Sequence, residues 1–244
     1  MKLTIIGCWG AYPGPGDASS GYLIEDEGDN RFLLECGSGV LSKLYDYTDI
    51  TRLNNVVLSH YHADHIADIG CLQYASKVQI SLGKRNDPIS IFGHNLSEDF
   101  EKLSYENASI GKSIEEGTSL FLGSFTLNFM LTPHPSPSFA VRVEAKNCSL
   151  GYTGDTGWNN NLIEFFKGVD LLLCESSLYN KYKGMVEGHL TAGEAGRLAE
   201  EAGVGKLILT HLPHSGDHKD LKKEACENFK GEIDLAEGGK TWIC

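Results

Sequence analysis

Between His60 and His65 the chain reads His60-Tyr61-His62-Ala63-Asp64-His65, placing four potential metal ligands within six residues. They come directly after the apolar run Asn55-Val56-Val57-Leu58-Ser59, which is short, β-branched and uncharged and so reads as a buried strand. The cluster therefore sits at a strand's C-terminal end, where sites in open α/β sheets assemble. In an extended or turning chain, residues two apart such as His60 and His62 can converge on one ion. Asp64 and His65, further round the turn, are then free to face a second. Three imidazoles and a carboxylate suit a borderline divalent metal with an open coordination position, the arrangement of catalytic rather than structural sites.

Four further positions repeat the theme. Thr132-Pro133-His134 ends a strand expected over 125–131, and Pro133, Pro135 and Pro137 stiffen that turn. Tyr152-Thr153-Gly154-Asp155-Thr156 puts Asp155 just past a strand, among small neighbours. Leu207-Ile208-Leu209-Thr210-His211 again ends an apolar strand on a histidine. Gly188-His189-Leu190-Thr191 sets His189 immediately before a helix. Taken singly, a lone histidine is more often structural, and Gly-Asp is usually only a turn. The pattern outweighs its members, because His60, His62, His134, Asp155 and His211 each follow an expected strand. Two ions about 3.5–4 Å apart need a bridging carboxylate, and Asp155 is the candidate.

The elements that must position these groups follow from periodicity. Strands are expected over 2–6, 22–25, 32–35, 56–59, 89–92, 125–131, 139–144, 149–153, 169–174 and 206–210. Helices are expected over 40–47, from about 64 onward, and over 97–105, 159–166, 191–202 and 217–229. The 191–202 helix is the clearest. Ala192, Ala195, Leu198, Ala199 and Ala202 form one apolar stripe, Thr191-Ala192-Gly193-Glu194 is a capping-box sequence, and Gly203 is placed to end it. Strands and helices recur in two halves, with no linker or low-complexity tract, so 1–244 is expected to be a single domain. The fold class is α/β, a sandwich of two sheets covered by helices on both outer faces.

Composition is that of a soluble globular protein, and a formal charge of −12 argues against a broadly basic nucleic-acid surface. A local metal centre can still neutralise a phosphate. Seven scattered cysteines, an odd number without a C-x-x-C pair, suggest neither a zinc knuckle nor a disulfide framework. Most lie in apolar runs and read as small buried hydrophobes. No secretory segment or membrane span is expected, and a reducing cytoplasm fits. His94 and His218, away from any strand-end setting, read as surface residues.

The chain resembles the metallo-β-lactamase-fold hydrolases over nearly its whole length, and within them the ribonuclease Z-like branch that includes phosphodiesterases. The supporting segments are Gly7-Cys8-Trp9-Gly10, Ser19-Ser20-Gly21-Tyr22-Leu23, Glu35-Cys36-Gly37-Ser38-Gly39, the H-x-H-x-D-H cluster, Gly154-Asp155-Thr156, and His189-Leu190-Thr191-Ala192 through to Leu209-Thr210-His211. The resemblance implies an αββα fold of two mixed sheets. It implies one divalent ion held by His60, His62, His134 and Asp155, and a second held by Asp64, His65, Asp155 and His211. Zinc is the first expectation, with manganese or iron as alternatives. It further implies that Asp64 orients or deprotonates the nucleophilic water and that His189 protonates the leaving oxygen or steadies the scissile phosphate. Glu175, ending the 169–174 strand, is expected to hold the His189 imidazole. A homodimer is implied by the same resemblance alone.

Two departures narrow the expectation. The glycine/proline-rich arm that grips transfer RNA in ribonuclease Z is missing, since the residues between His134 and Asp155 suffice only for the two expected strands. The glycine turn that often reads Asp-Cys-Gly-Glu-Gly is here Glu35-Cys36-Gly37-Ser38-Gly39. The expected activity is therefore a metal-dependent phosphodiesterase or small nuclease using a dinuclear centre and metal-bound hydroxide. Its substrate would be small or flexible, such as a nucleotide or short RNA. Transfer-RNA 3′ processing and thioester or lactone hydrolysis are the alternatives. A di-iron redox module fits less well, because such modules replace the second histidine of the cluster by glutamate and this chain keeps His62.

Overall fold

Short apolar runs broken by turn residues become two mixed sheets of seven strands each. The computed structural model describes residues 1–244 and divides into two units, 1–115 with 237–243 and 116–236 with Cys244.

The first unit holds β1 (Lys2–Gly7), β2 (Gly21–Glu25), β3 (Arg31–Leu34), β4 (Asn55–Val57), β5 (Ile89–His94), β6 (Ser109–Ile114) and the late strand β14 (Thr241–Ile243). Their order is β14-β1-β2-β3-β4-β5-β6. β1, β2 and β3 form an antiparallel meander, whereas β3 to β6 are parallel. It follows that β1, β3, β4, β5 and β6 run the same way and end at one edge. Ile6, Leu23, Leu33, Val56, Leu58 and Ile91 build the core of this unit with Leu72. Burying each such side chain stabilises by roughly 1.5–3 kcal/mol relative to exposure. The helices are α1 (Val40–Leu44), α2 (Ala63–Ile66) and α3 (Ile69–Ser81).

The second unit holds β7 (Ser119–Leu122), β8 (Phe125–Thr132), β9 (Ser138–Ala145), β10 (Cys148–Tyr152), β11 (Leu171–Glu175), β12 (Lys206–Thr210) and β13 (Glu232–Leu235), in the order β13-β12-β11-β10-β9-β8-β7. β7 to β10 are antiparallel neighbours, and β10 to β13 are parallel. Two antiparallel steps restore direction, so β8, β10, β11 and β12 all end at one edge. That edge carries Thr132, Tyr152, Glu175 and Thr210. The helices are α4 (Asn161–Phe165), α5 (Ala192–Ala202) and α6 (His218–Cys226). In α5 the Thr191 side chain accepts from the Glu194 amide and the Glu194 side chain reaches back, completing the capping box, and Gly203 closes the helix at φ 65°.

The structure departs from the sequence reading in several places. The segment expected as a helix over 97–105 is a 3₁₀ turn, Glu98–Leu103. Its apolar residues Phe100 and Leu103 are three apart, which matches three residues per turn. The helix expected from about 64 is broken into α2 and α3. Asp68 is tethered at the break, its amide donating to the Cys36 carbonyl (3.1 Å) and its carboxylate accepting from the Leu41 amide (2.9 Å). β6, β7, β13 and β14 were not expected. His94 is fully buried rather than on the surface, and His218 is part-buried, its Nε2 2.7 Å from the Pro213 carbonyl. Cys148 and Cys244 form a disulfide across 96 residues, which overturns the expectation of none. Such a pairing has no short-range spacing to reveal it. Of the free cysteines, Cys71 and Cys226 are exposed, not buried. No helix is long and apolar enough to cross a membrane.

Candidate metal centre

In the first unit, the turn from β4 into α2 carries the histidine cluster. Ser59, His60, Asp64 and His65 are buried, and His62, in an extended conformation at the start of α2, is exposed. The His60 ring lies 4.7 Å from that of His62 and 4.1 Å from that of His65, centroid to centroid. Extended backbone at His62 therefore brings the alternate imidazoles together, and the first turn of α2 adds His65.

Each member is held from behind. Ser59 Oγ is 3.0 Å from His60 Nδ1. The Asp64 carboxylate accepts from the Ala11 amide (2.7 Å), and Ala11 sits in the loop after β1 with φ 61°. Gly37 makes this packing feasible, since a Cβ there would run into the Asp64 carbonyl. His65 Nε2 is 3.5 Å from Asp64 Oδ2, and its Nδ1 is 3.6 Å from Glu35 Oε2. Glu35 is itself fully buried, in the left-handed region (φ 63°), and accepts from the Ser59 amide (2.9 Å). One carboxylate thus braces the turn before His60 and faces the ring of His65. In the sequence, Glu35 stands out only as a departure from a family motif.

Behind the cluster, Tyr61 points the opposite way from His60 and His62, into the core of the unit. Its hydroxyl donates to the His94 carbonyl, and its ring lies 4.3 Å from the His94 ring. Burial, with Asp99 adding, pushes the Tyr61 hydroxyl well above the usual phenol range, so it stays a donor.

In the second unit, the common edge of β8, β10, β11 and β12 gathers His134, Asp155, Glu175, His189 and His211. Thr132 Oγ1 donates to the Asp155 carbonyl (2.8 Å), and the Gly157 amide donates to the Pro133 carbonyl (2.8 Å). His211 Nε2 lies 3.4 Å from Asp155 Oδ2. The His189 ring stands 5.6 Å from both the His134 and the His211 rings. One ligand atom from each of Asp155, His189 and His211 falls within 4.8 Å of the others. His189 thus has the reach of a ligand as well as of a proton donor. The expected Glu175 contact is present, with Oε1 3.1 Å from His189 Nδ1. Glu175 is buried and also accepts from the Thr156 amide (2.8 Å) and from Ser177 Oγ (2.6 Å). Ser177, which no local sequence signal marks, lies 2.7 Å from His211 Nδ1 as well. His134 Nδ1 is 2.9 Å from the Ser136 carbonyl, which can only accept.

The donor set fits divalent metal ions. His60, His134, His189 and His211 meet their oxygen neighbours through Nδ1, and His65 Nδ1 faces Glu35 Oε2 at 3.6 Å. Metal-bound histidines are commonly oriented through one ring nitrogen in this way, leaving Nε2 to coordinate. Buried carboxylates at Asp64 and Asp155 supply the charge that neutral imidazoles lack. Tyr12 and His214 are exposed and belong to neither set.

Comparison with known proteins agrees with this arrangement. The family model described as "Beta-lactamase superfamily domain" matches residues 30–212. The chain is 44% identical over 243 residues to the probable metallo-hydrolase YhfI of Bacillus subtilis, covering 99% of each. The crystal structure of YhfI, a metallo-β-lactamase fold protein, superposes with a TM-score of 0.97 at 43% identity, covering 99% of this chain and 98% of that one. A ribonuclease Z of Methanosarcina acetivorans is 25% identical, over 96% of this chain and 95% of its own length. Both sheets, the histidines and aspartates at their strand ends and the match over most of the length make this chain a member of the metallo-β-lactamase superfamily.

Proposed function

We propose that this protein is a metal-dependent phosphodiesterase with a dinuclear centre. His60, His62, Asp64 and His65 of the first unit and His134, Asp155 and His211 of the second would be the ligands, as the family resemblance implies. The observation that carries the reading is the Glu175–His189 pair standing beside Asp155 and His211. Phosphodiester cleavage expels an alkoxide, and a carboxylate-held imidazole next to a metal ligand is suited to protonate it. The name of YhfI, a probable metallo-hydrolase, supports the broader class, and a relative named ribonuclease Z supports phosphodiester chemistry.

Two bound divalent cations would supply charge neutralisation and an activated water. The chain's own residues do the rest. Asp64, fixed by the Ala11 amide, orients that water. Glu175 holds His189 by Nδ1 and leaves Nε2 to carry the proton given to the leaving oxygen. Residues 135–154 are occupied by β9, β10 and their short turns, which leaves no arm to grip a folded RNA. A nucleotide or short RNA is the substrate class this favours over transfer RNA.

The test is hydrolysis of bis(p-nitrophenyl) phosphate by chelated protein and by zinc- and manganese-reconstituted protein. Turnover restored by metal is the expected result. Two bound ions without turnover would move the activity to thioesters or lactones.

A further inference from the structure

Ser177 lies against Glu175, His189 and His211 at once. Its Oγ lies 2.6 Å from Glu175 Oε2, 2.7 Å from His211 Nδ1 and 3.3 Å from His189 Nδ1. A hydroxyl has one proton to give and two lone pairs to receive with. The carboxylate of Glu175 can only accept, so the Ser177 proton goes to Oε2. Both imidazole nitrogens facing Ser177 must then be donors. His211 therefore carries its proton on Nδ1. His189 Nδ1 also faces Glu175 Oε1 at 3.1 Å, so it is a donor for a second, independent reason.

We infer that Ser177 is a positioning residue through which Glu175 sets the tautomers of two histidines at once, His189 directly and His211 by way of the hydroxyl. The consequence is that the His211 ring is oriented with Nδ1 toward Ser177 and Nε2 toward Asp155, whose Oδ2 lies 3.4 Å away. Glu175 has the anchoring to do this, because the Thr156 amide holds Oε1 at 2.8 Å and the Glu175 amide donates to Thr153 Oγ1 at 3.0 Å. The roles given to His189 and His211 rest on the proposed function, but the tautomers are a property of the metal-free chain.

The experiment is long-range proton–nitrogen correlation of the histidine side chains in ¹⁵N-labelled, chelated, full-length protein, followed by zinc titration. In the wild type, His189 and His211 are both expected as Nδ1–H. In Ser177→Ala, His211 should lose that preference while His189 keeps it, and the weaker of two zinc affinities should fall roughly 10–100-fold, as when other partners of metal-binding histidines are removed. Ser177→Thr, which keeps the hydroxyl, should restore both. A wild-type His211 protonated on Nε2 overturns the inference without any variant, as does an Nδ1–H His211 that persists in Ser177→Ala. Wild-type protein that binds no zinc would instead sink the metal-centre reading, leaving the tautomers to decide this one.

Discussion

At the scale of single residues, His189 is the position where ligand and acid make different predictions. Its reach toward Asp155 and His211 allows either role, but its Nδ1 is held by Glu175 in the manner of an oriented proton donor. As an acid it matters in proportion to how poorly the leaving group departs. His189→Ala should therefore lower turnover of alkyl or nucleoside phosphodiesters by roughly 10²–10⁴-fold. The loss should be far smaller for bis(p-nitrophenyl) phosphate, whose phenolate leaves unaided. Metal content measured on the same samples should be unchanged. A fall in bound metal, with equal losses on both substrates, would make His189 a ligand.

At the scale of elements, the clearest coupling is between the β4–α2 turn and the end of β5. The alternation that sends His60 and His62 one way sends Tyr61 the other, onto His94. Tyr61→Phe keeps the ring in the core but leaves the buried His94 carbonyl without its hydroxyl donor. Thermal melts of the chelated protein should show a loss of about 1–3 kcal/mol, and unchanged stability would make the contact incidental. The same turn shows what could be read beforehand. Histidines two apart behind an apolar run announce a strand-end cluster, and Thr191, Glu194 and Gly203 announce α5, because these signals are local. Tyr61, whose hydroxyl reaches the His94 carbonyl, is 33 residues away in sequence, so this contact leaves no local mark on His94. Glu35 acquires its bracing role from a left-handed backbone and from Ser59 and His65, none of it visible in its own neighbourhood. β13 and β14 are short and carry charged or exposed residues, so their strand pairing is decided by the sheet edges they join.

At the scale of the whole molecule, the cysteines divide by environment. Burial raises the Cys8 thiol to about 12, with Asp17 and Glu237 adding to the shift, and burial pushes Cys36 and Cys174 well above their ordinary value. The thiolate is the reactive form, so raised values keep these three protonated and inert at neutral pH. Cys71 and Cys226 are exposed, and Cys148 and Cys244 are paired. Native protein without reductant should label with a maleimide at Cys71 and Cys226 only, as read by peptide mass spectrometry. Labelling of Cys148 or Cys244 would show the pair to be open. The shared direction of β8, β10, β11 and β12 also separates two faces of the second unit for anyone handling the protein. These four strands leave the sheet at one edge, toward His134, Asp155, Glu175 and His211, so the exposed Gly123–Ser124 turn, which leads into β8, lies at the other. A fluorophore or affinity tag grafted into that turn would report on or immobilise the protein from the side remote from its chemistry.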